Sequence, residues 1–314
     1  MSLAGRLFYQ LYHRPVGAIR TLIDEGGPLE RRRTTLGRAS MEAAAYTLPI
    51  PISRGGAPVE LHLLTGRRFW YQTAFCLWSF AQTSGRPLRP FIYDDGTLIE
   101  TFRAPLARLF PSIEFISQAD TLARLDQHLP SSRFPTLRER WLNYPNIRKL
   151  TDPHVGVRGW KLVLDSDLLF FRSPELLISW IDSPRHPLHA VDCETSYGYS
   201  RTLMDSLAGT HVGDLINVGL TGLSGDEIDW EQLEYWTATL HARERTNYYL
   251  EQALIAMMVA GKPCTVAPAQ DYVTYPTLPE SHACRAIMHH YVANSKRDYF
   301  QRNWRHCLDS LAPQ

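Results

Sequence analysis

Two aspartates interrupt an apolar run, Trp160-Lys-Leu-Val-Leu-Asp165-Ser166-Asp167-Leu-Leu-Phe-Phe171. The run is too short and too uniformly apolar for the exposed face of a helix, and it is typical of a parallel strand buried on both faces. A carboxylate buried there is costly unless it is paired or bound to a metal. Residues i and i+2 of a strand point to the same side, so the two like charges repel unless a cation lies near them. The run therefore predicts a divalent-cation site on Asp165 and Asp167.

Composition and length exclude several classes of protein. The chain has 33 Lys and Arg against 32 Asp and Glu, so no net basic charge indicates a nucleic-acid partner. Its five cysteines include no Cys-x-x-Cys pair, which argues against a zinc knuckle or a compact disulfide framework. Their odd number is typical of a reducing cytosol, and we expect a cytoplasmic protein. No run approaches the roughly 18 apolar residues of a membrane span.

The chain divides into a lead-in, residues 1–58, and an α/β domain, residues 59–314. Within the lead-in, residues 24–58 are rich in Gly, Pro and Arg, and this composition predicts a poorly structured or wrapping segment.

The first 23 residues lack the pattern of a signal peptide. Four apolar residues could line one face of a basic amphipathic helix: Leu3, Leu7, Phe8 and Leu11. Such a helix either packs on its own domain or makes a peripheral contact with a membrane surface.

Strands and helices alternate along the rest of the chain. Strands at 59–64 and 88–93 flank a helical pattern at 71–83, which is typical of a parallel α/β sheet. Further strands are predicted at 112–116, 160–171 and 215–220. Further helices are predicted at 105–110, at 119–150 with a break at 143–146, from 174, and at 249–260.

Polar residues fall at or near the ends of the predicted strands. They are Thr65, Asp94, Asp95, Asp165, Ser166, Asp167 and Asn217. Because ligands in such sheets bind beyond the carboxyl ends of the strands, these side chains predict a binding site at one edge of the sheet.

Four segments in order carry a family resemblance. The Asp-x-Asp pair is followed by Ile-Asn217-Val-Gly219-Leu, similar to a Phe-Asn-Ala-Gly motif, then by Glu251-Gln252 where the family has Asp-Gln. His290-Tyr-Val-Ala-Asn-Ser-Lys296 follows and is similar to His-x-x-Gly-x-x-Lys. Upstream, Arg148 resembles an arginine that precedes the Asp-x-Asp strand. The chain thus resembles the GT-A-fold nucleotide-sugar glycosyltransferases, and more narrowly the retaining family-8-type enzymes.

The resemblance implies a fold, a reaction and a set of roles. The fold is GT-A-like and Rossmann-related, with a mixed, mainly parallel sheet flanked by helices. The reaction transfers a sugar from a nucleotide-diphosphate donor, by default a UDP-sugar, to an unknown acceptor with Mn²⁺ or Mg²⁺. The metal ligands are Asp165, Asp167 and His290. The donor-binding residues are Thr65, Arg148, Ser166, Asn217, Gly219 and Lys296. The catalytic residues are Gln252 and Glu251.

The implied roles agree with simple chemistry. Hard carboxylate oxygens suit Mg²⁺ or Mn²⁺, and an imidazole shifts the preference toward Mn²⁺. Such an ion stabilises the charge that grows on a leaving diphosphate, and Lys296 would pair with that diphosphate. His289 is an alternative to His290, and Lys149 is an alternative to Arg148.

The sequence departs from the family pattern at three places. Ala293 replaces the glycine of the histidine motif, Arg297-Asp298 stands where Pro-Trp is frequent, and Glu251 is one methylene longer than the usual Asp. Two other functions stay open. One is a catalytically degenerate GT-A protein that only binds a nucleotide sugar. The other is a haloacid-type phosphatase, which uses Asp-x-Asp on its first strand, whereas this pair is in mid-chain.

Overall fold

A computed structural model describes residues 26–245 and 247–312. Its strands are β1 (Val59–Thr65), β2 (Leu88–Asp94), β3 (Glu114–Ile116), β4 (Trp160–Leu164), β5 (Leu168–Phe170), β6 (Leu188–Val191), β7 (Ile216–Ser224), β8 (Thr265–Ala267), β9 (Tyr272–Thr274) and β10 (Met288–His290). Its helices are α1 (Pro28–Ala45), α2 (Trp70–Ser84), α3 (Glu100–Leu109), α4 (Gln118–His128), α5 (Pro135–Asn143), α6 (Arg148–His154), α7 (Glu175–Asp182), α8 (Arg201–Ala208), α9 (Trp230–Glu244), α10 (Leu250–Val259), α11 (Leu278–Ala283), α12 (Lys296–Asp298) and α13 (Trp304–Leu311), the last two joined by a π-helical turn (Tyr299–Asn303).

Seven strands form one mixed, mainly parallel sheet in the order β3-β2-β1-β4-β7-β6-β8. Strand β7 is antiparallel to both of its neighbours, and the other pairings are parallel. In the β1–β2 register, Thr65 lies opposite Asp94. The predicted fold class is confirmed, and the carboxyl ends of β1, β2 and β4 lie at one edge.

The Asp-x-Asp run is not one strand, as predicted, but two. Strand β4 ends at Leu164 in the large sheet, and β5 begins at Leu168 in a second sheet of order β5-β10-β9. Asp165, Ser166 and Asp167 form the turn between the two sheets. The apolar flanks are buried in both strands. Two short buried strands joined by a polar turn therefore give the same sequence pattern as one long buried strand.

Asn217 also reaches the edge by a different route from the one predicted. It lies at the beginning of β7, not at a carboxyl end. Because β7 runs antiparallel to β4, its amino-terminal end meets the carboxyl-terminal end of β4, and Asn217 still arrives beside the Asp-x-Asp turn.

Residues 28–45 are helical, so the prediction of a poorly structured segment is wrong for them. Pro28 begins the helix, a position where its missing N–H is not needed. Gly37, Met41 and Ala45 share one buried face. A Cβ on Gly37 would come within 2.2 Å of the Phe300 carbonyl oxygen, so only glycine allows this close approach of α1 to the π-helical turn.

Two apolar clusters stabilise the domain. The first contains the side chains of α2 and those of β1 that alternate toward it, Val59, Leu61 and Leu63. Residues 70–81 of α2 are all buried, which agrees with their almost uninterrupted apolar sequence. The second cluster joins α4, α5, α8, α9 and α10. Helix α10 is thereby fixed beneath the edge where the polar residues gather.

The hypothesised amphipathic helix through Leu3 and Leu11 lies outside the described residues. In the part of the chain that the structure describes, no helix is both long and apolar enough to cross a bilayer.

Candidate functional site

A cavity of about 580 Å³ opens at the edge where β1, β2 and β4 end. Its lining includes ten of the eleven predicted site residues. They are Thr65, Asp165, Ser166, Asp167, Asn217, Gly219, Glu251, Gln252, His290 and Lys296. The remaining one, Arg148, does not line the cavity.

Three predicted metal ligands converge in this cavity. The antiparallel pairing of β5 with β10 places Leu168 opposite His290, so the imidazole lies beside the Asp-x-Asp turn. His290 Nε2 is 3.6 Å from Asp165 Oδ2 and 3.4 Å from Asp167 Oδ1. One donor atom from each of the three residues lies within 4.8 Å of the others, which is close enough for a single ion to bind all three.

Each aspartate uses its second oxygen to contact a lysine. Lys149 Nζ donates to Asp165 Oδ1 at 2.9 Å, and Lys296 Nζ lies 2.9 Å from Asp167 Oδ2. Burial raises the pKa of Asp167, but the charge of Lys296 and the hydrogen bond from His290 outweigh it, so the pKa is lowered. Each aspartate thus contacts a lysine with one oxygen and faces His290 with the other.

The two adjacent histidines have different surroundings. His289 is fully buried, with its ring nitrogens 3.0 Å from Tyr291 Oη and 3.1 Å from Glu280 Oε1. His290 directs Nε2 into the cavity, and its buried Nδ1 has no partner among the described residues. His290 is therefore the histidine available to a ligand, and His289 is held by the protein.

Gly219 provides the space in which the His290 ring lies. A Cβ at this position would come within 2.2 Å of His290 Cε1. The Gly219 N–H donates to Asn217 Oδ1 at 2.9 Å, and the Gly219 carbonyl accepts from the Asp165 N–H at 2.8 Å. Asn217 has Nδ2 left for a ligand, since no described residue accepts from it. The predicted Asn-x-Gly pair therefore contacts two of the three predicted metal ligands, His290 and Asp165, through Gly219.

Gln252 presents its amide oxygen to the cavity. Its Nε2 donates to Asp192 Oδ2 and to the Ile216 carbonyl, both at 2.9 Å. Because both partners are acceptors, this arrangement fixes which amide atom is nitrogen. Oε1 is consequently free to act as an acceptor or to stabilise positive charge.

Glu251 is buried beside Lys149. Its carboxylate Oε2 lies 3.3 Å from Lys149 Nζ, and the side chain is 4% exposed. Burial raises the pKa of Glu251 to about 7, although the charge of Lys149 opposes this effect. Burial lowers the pKa of Lys149, but the charges of Asp165 and Glu251 outweigh it and the net pKa is raised. One lysine thus connects a predicted metal ligand with a predicted catalytic residue.

The structure does not bring Arg148 to the cavity. Its guanidinium lies 4.3 Å above the Trp141 ring, and Nε donates to the Trp141 carbonyl at 3.1 Å. Arg148 and Lys149 both lie at the beginning of α6. Successive helical positions point about 100° apart, so only one of the two side chains can face the site. Lys149 is that residue.

Thr65 and Ser166 belong to the cavity lining. Thr65 Oγ1 accepts from Thr73 Oγ1 at 2.8 Å and is almost fully buried. Ser166 lies in the turn between the aspartates. Both line the cavity, and their contact with a donor stays a prediction.

Three lining residues that shape the site are not among the eleven predicted site residues. Asp192 orients Gln252, and Tyr144 Oη accepts from the Glu251 N–H at 3.4 Å. Lys149 was recognised only as an alternative. Asp192 directly follows the short strand β6. This position at the end of a strand is the sequence signal that could have identified Asp192 as a site residue.

The donor set fits a divalent ion. Two carboxylate oxygens and one imidazole nitrogen are typical ligands of Mn²⁺, and the carboxylates also suit Mg²⁺. The buried, unpartnered Nδ1 of His290 and the glycine that admits its ring indicate that the imidazole is placed for a purpose beyond packing.

No protein-family model matches the chain, and no curated protein is significantly similar in sequence. Solved structures do match its fold. The galactosyltransferase LgtC, solved with donor and acceptor sugar analogs, has a TM-score of 0.54 at 14% identity over 81% of this chain and 97% of its own. The fold is GT-A.

Two further glycosyltransferase structures are similar. Mouse xyloside xylosyltransferase 1 has a TM-score of 0.52 at 14% identity, over 76% of this chain and 99% of its own. The bifunctional glycosyltransferase WbbM has a TM-score of 0.53 at 8% identity, over 84% of this chain and 51% of its own. At these identities the likeness establishes the architecture, and the function has to be argued from the site.

Proposed function

We propose that the protein is a metal-dependent glycosyltransferase that uses a nucleotide-sugar donor. One observation carries the proposal: Asp165 Oδ2, Asp167 Oδ1 and His290 Nε2 converge in a cavity at the strand edge of a GT-A fold. UDP is the nucleotide that the resemblance to family-8-type enzymes implies. The names of the structural neighbours, a galactosyltransferase and a xylosyltransferase, support a sugar as the transferred group.

Asp165, Asp167 and His290 would hold Mn²⁺ or Mg²⁺. When bound, such an ion supplies Lewis-acid stabilisation of the negative charge on the departing diphosphate. Lys296 supplies a second positive charge, because the proximity of Asp167 raises its pKa and keeps it protonated. The Lys296 side chain is 39% exposed, so it can contact a phosphate oxygen while it stays beside Asp167.

The sugar would lie between Asn217 and Gln252. The Nδ2 group of Asn217 can donate to a sugar hydroxyl, and the free Oε1 of Gln252 faces the cavity as the positive charge develops on the sugar ring. Glu251, fixed by Lys149, would accept a hydrogen bond from a donor or acceptor hydroxyl. Lys149 acts as a positioning residue for both Asp165 and Glu251.

The same arrangement supports transfer with retention of configuration. The bond from the anomeric carbon to the diphosphate oxygen breaks, and the acceptor oxygen bonds to that carbon on the same face. The acceptor's proton passes to the departing diphosphate oxygen, so no protein base is needed. Proton NMR of the product from an α-linked donor tests this step. A β-linked product would contradict it and would direct attention to Asp94, Asp95 and Asp192 as bases.

The two other functions are less well supported by the geometry. A haloacid-type phosphatase needs a free nucleophilic aspartate, whereas Asp165 has Lys149 on one oxygen and faces His290 with the other. A degenerate binding protein is disfavoured because the three metal ligands are intact and in contact distance. A cytoplasmic location and a membrane contact through the N-terminal segment stay predictions.

The test of the proposed function is a donor screen. UDP release from a panel of nucleotide sugars is measured with Mn²⁺, with Mg²⁺ and with EDTA. We expect metal-dependent release from at least one donor, even with water as the acceptor. Donor binding without any release would favour the degenerate binding protein, and release of phosphate from simple phosphomonoesters would favour the phosphatase.

A further inference from the structure

Two adjacent tyrosines stand at the mouth of the cavity. Tyr248 is 71% exposed and Tyr249 is 37% exposed, and both line the cavity. Their ring centroids are 5.3 Å apart at an interplanar angle of 87°. Aromatic surface left open beside a polar cavity is a frequent sign of a binding site. We call these two residues the tyrosine rim.

The backbone beneath the tyrosine rim is firmly held. Tyr144 Oη donates to the Tyr248 carbonyl at 2.5 Å, and the Tyr249 N–H donates to Asn247 Oδ1 at 3.0 Å. Asn247 Nδ2 in turn donates to the Gly198 carbonyl at 2.6 Å. The rings are therefore exposed on a fixed support. Little conformational entropy is lost when a ligand covers such rings, because tyrosine has only two rotatable side-chain bonds.

The tyrosine rim adjoins the proposed catalytic residues. The Tyr249 carbonyl accepts from the Ala253 N–H at 2.9 Å, so the rim continues directly into α10, which carries Glu251 and Gln252. Tyr248, Tyr249 and Lys296 all line the same cavity. A group that covers the rim would therefore lie beside Glu251 and Gln252, where the proposed function places the sugar.

The charges around the rim restrict what can bind there. Three lining carboxylates have no cationic partner in the described part of the chain: Asp95, Asp192 and Glu194. The two lining lysines, by contrast, are each paired with a carboxylate. An anionic acceptor would be repelled, whereas carboxylates accept hydrogen bonds from neutral hydroxyl groups.

We infer that the tyrosine rim binds the acceptor, and that this acceptor is a neutral saccharide. The apolar face of a pyranose ring covers the Tyr248 and Tyr249 rings, and its hydroxyls donate to Asp192 and Glu194. This inference rests on the proposed function, since it assigns the acceptor of that same site.

The experiment measures UDP release from the best donor in water alone and with panels of saccharides. One panel holds neutral mono- and disaccharides, and the other holds their uronic-acid and phosphorylated counterparts. We expect several neutral saccharides to accelerate UDP release and their anionic counterparts to be at least tenfold less effective in kcat/KM. Acceleration by anionic saccharides only, or by no saccharide, would overturn the inference. Absence of UDP release in water would instead count against the proposed function.

Variants then test the residues. Tyr248→Ala and Tyr249→Ala should each raise the KM for the saccharide roughly tenfold, the equivalent of one lost aromatic contact. The rise should exceed any change in donor KM, and Tyr248→Phe should restore most of it because it keeps the ring. Tyr235→Ala is the matched control, since Tyr235 is 61% exposed and lies outside the cavity lining. An equal rise in donor KM and saccharide KM would move the tyrosine rim to the donor and contradict the assignment.

Discussion

Lys149→Met should destabilise the protein through the two carboxylates that lose their partner. Methionine keeps most of the length and volume of the lysine stem, so the change removes mainly the charge. Lys149 Nζ lies 2.9 Å from Asp165 Oδ1 and 3.3 Å from Glu251 Oε2. At an effective dielectric constant of about 20, each contact corresponds to roughly 5 kcal/mol of attraction before desolvation is subtracted.

The net loss is smaller than the attraction. Removing one partner of a buried ion pair costs about 3–5 kcal/mol. Asp165 is 25% exposed and can be partly rehydrated, whereas Glu251 is 4% exposed and cannot. We therefore expect a decrease of about 3 kcal/mol in the free energy of unfolding at pH 8, most of it due to Glu251.

The loss should depend on pH in a defined direction. The pKa of Glu251 is raised from 4.5 to about 7, so between these values the folded state binds more protons than the unfolded state. Stability therefore falls as pH rises through this window. Without the Lys149 charge the pKa of Glu251 rises further, and the decline continues above pH 7. The difference between the variant and the unmodified protein should be larger at pH 8 than at pH 5.

Urea denaturation in EDTA at both pH values measures these differences. Lys149→Met/Glu251→Gln should be more stable than Lys149→Met alone at pH 8, because the double variant removes the uncompensated buried charge. Lys262→Met is the control on an exposed lysine and should stay within about 0.5 kcal/mol. A loss below about 1 kcal/mol for Lys149→Met, or a double variant no more stable than the single one, would refute the reasoning.

Three further predictions concern neighbouring residues. Lys296→Ala should weaken UDP binding by about 1.5–3 kcal/mol and uridine binding much less, by calorimetry with Mn²⁺; equal losses would remove Lys296 from the phosphate site. Gly219→Ala should lower Mn²⁺ affinity at least tenfold, because the new Cβ would lie 2.2 Å from His290 Cε1. The control Gly213→Ala should leave Mn²⁺ affinity unchanged, because its Cβ would lie 3.6 Å from the nearest neighbour. Ala293→Gly should raise the free energy of unfolding by up to about 1 kcal/mol, because Ala293 has a φ of 45° in the left-handed region. Glycine relieves that strain at some cost in the entropy of the unfolded chain. A clear decrease in the free energy of unfolding would contradict this prediction.

The fold was predictable because its periodic signals are strong. The apolar sequence of residues 70–81 and the order of strands and helices are sufficient for a mainly parallel α/β sheet. The error at Asp165 and Asp167 has a physical cause, because an apolar run shows that residues are buried and does not show which sheet buries them. The antiparallel direction of β7 depends on pairing between distant segments, which the local pattern of Asn217 does not contain.

The site was predictable where a residue type is chemically demanding. Two acids in an apolar run require a cation. The neighbour of Gly219 was not predictable, because the His290 ring that fills the space beside it comes from a distant segment of the chain. The selection of Lys149 over Arg148 depends on the rotation of α6 relative to Trp141, which adjacent basic residues cannot reveal. The exposure of Tyr248 and Tyr249 beside the cavity was not predictable, because two tyrosines directly before a helix give no periodic signal of burial or exposure.

Ala293 stands where the similar motif has glycine, and its backbone has a left-handed φ of 45°. Glycine adopts this conformation without strain, whereas alanine does not. Ala293 lies between His290 and Lys296 and lines the cavity, so the alanine methyl group adds a side chain at this position.

The central claim is that Asp165, Asp167 and His290 hold a divalent ion that is needed to bind UDP. The most direct measurement is the change in melting temperature that UDP causes, in Mn²⁺ and in EDTA. It compares the unmodified protein, Asp167→Asn and a control variant, Asp182→Asn. The Asp182 carboxylate pairs with Arg86 away from the cavity. At a hundredfold excess of UDP over its Kd we expect a rise of roughly 4 °C in Mn²⁺ for the unmodified protein and the control. The rise should disappear in EDTA and in Asp167→Asn. An equal rise in EDTA, or in Asp167→Asn with Mn²⁺, would contradict the account.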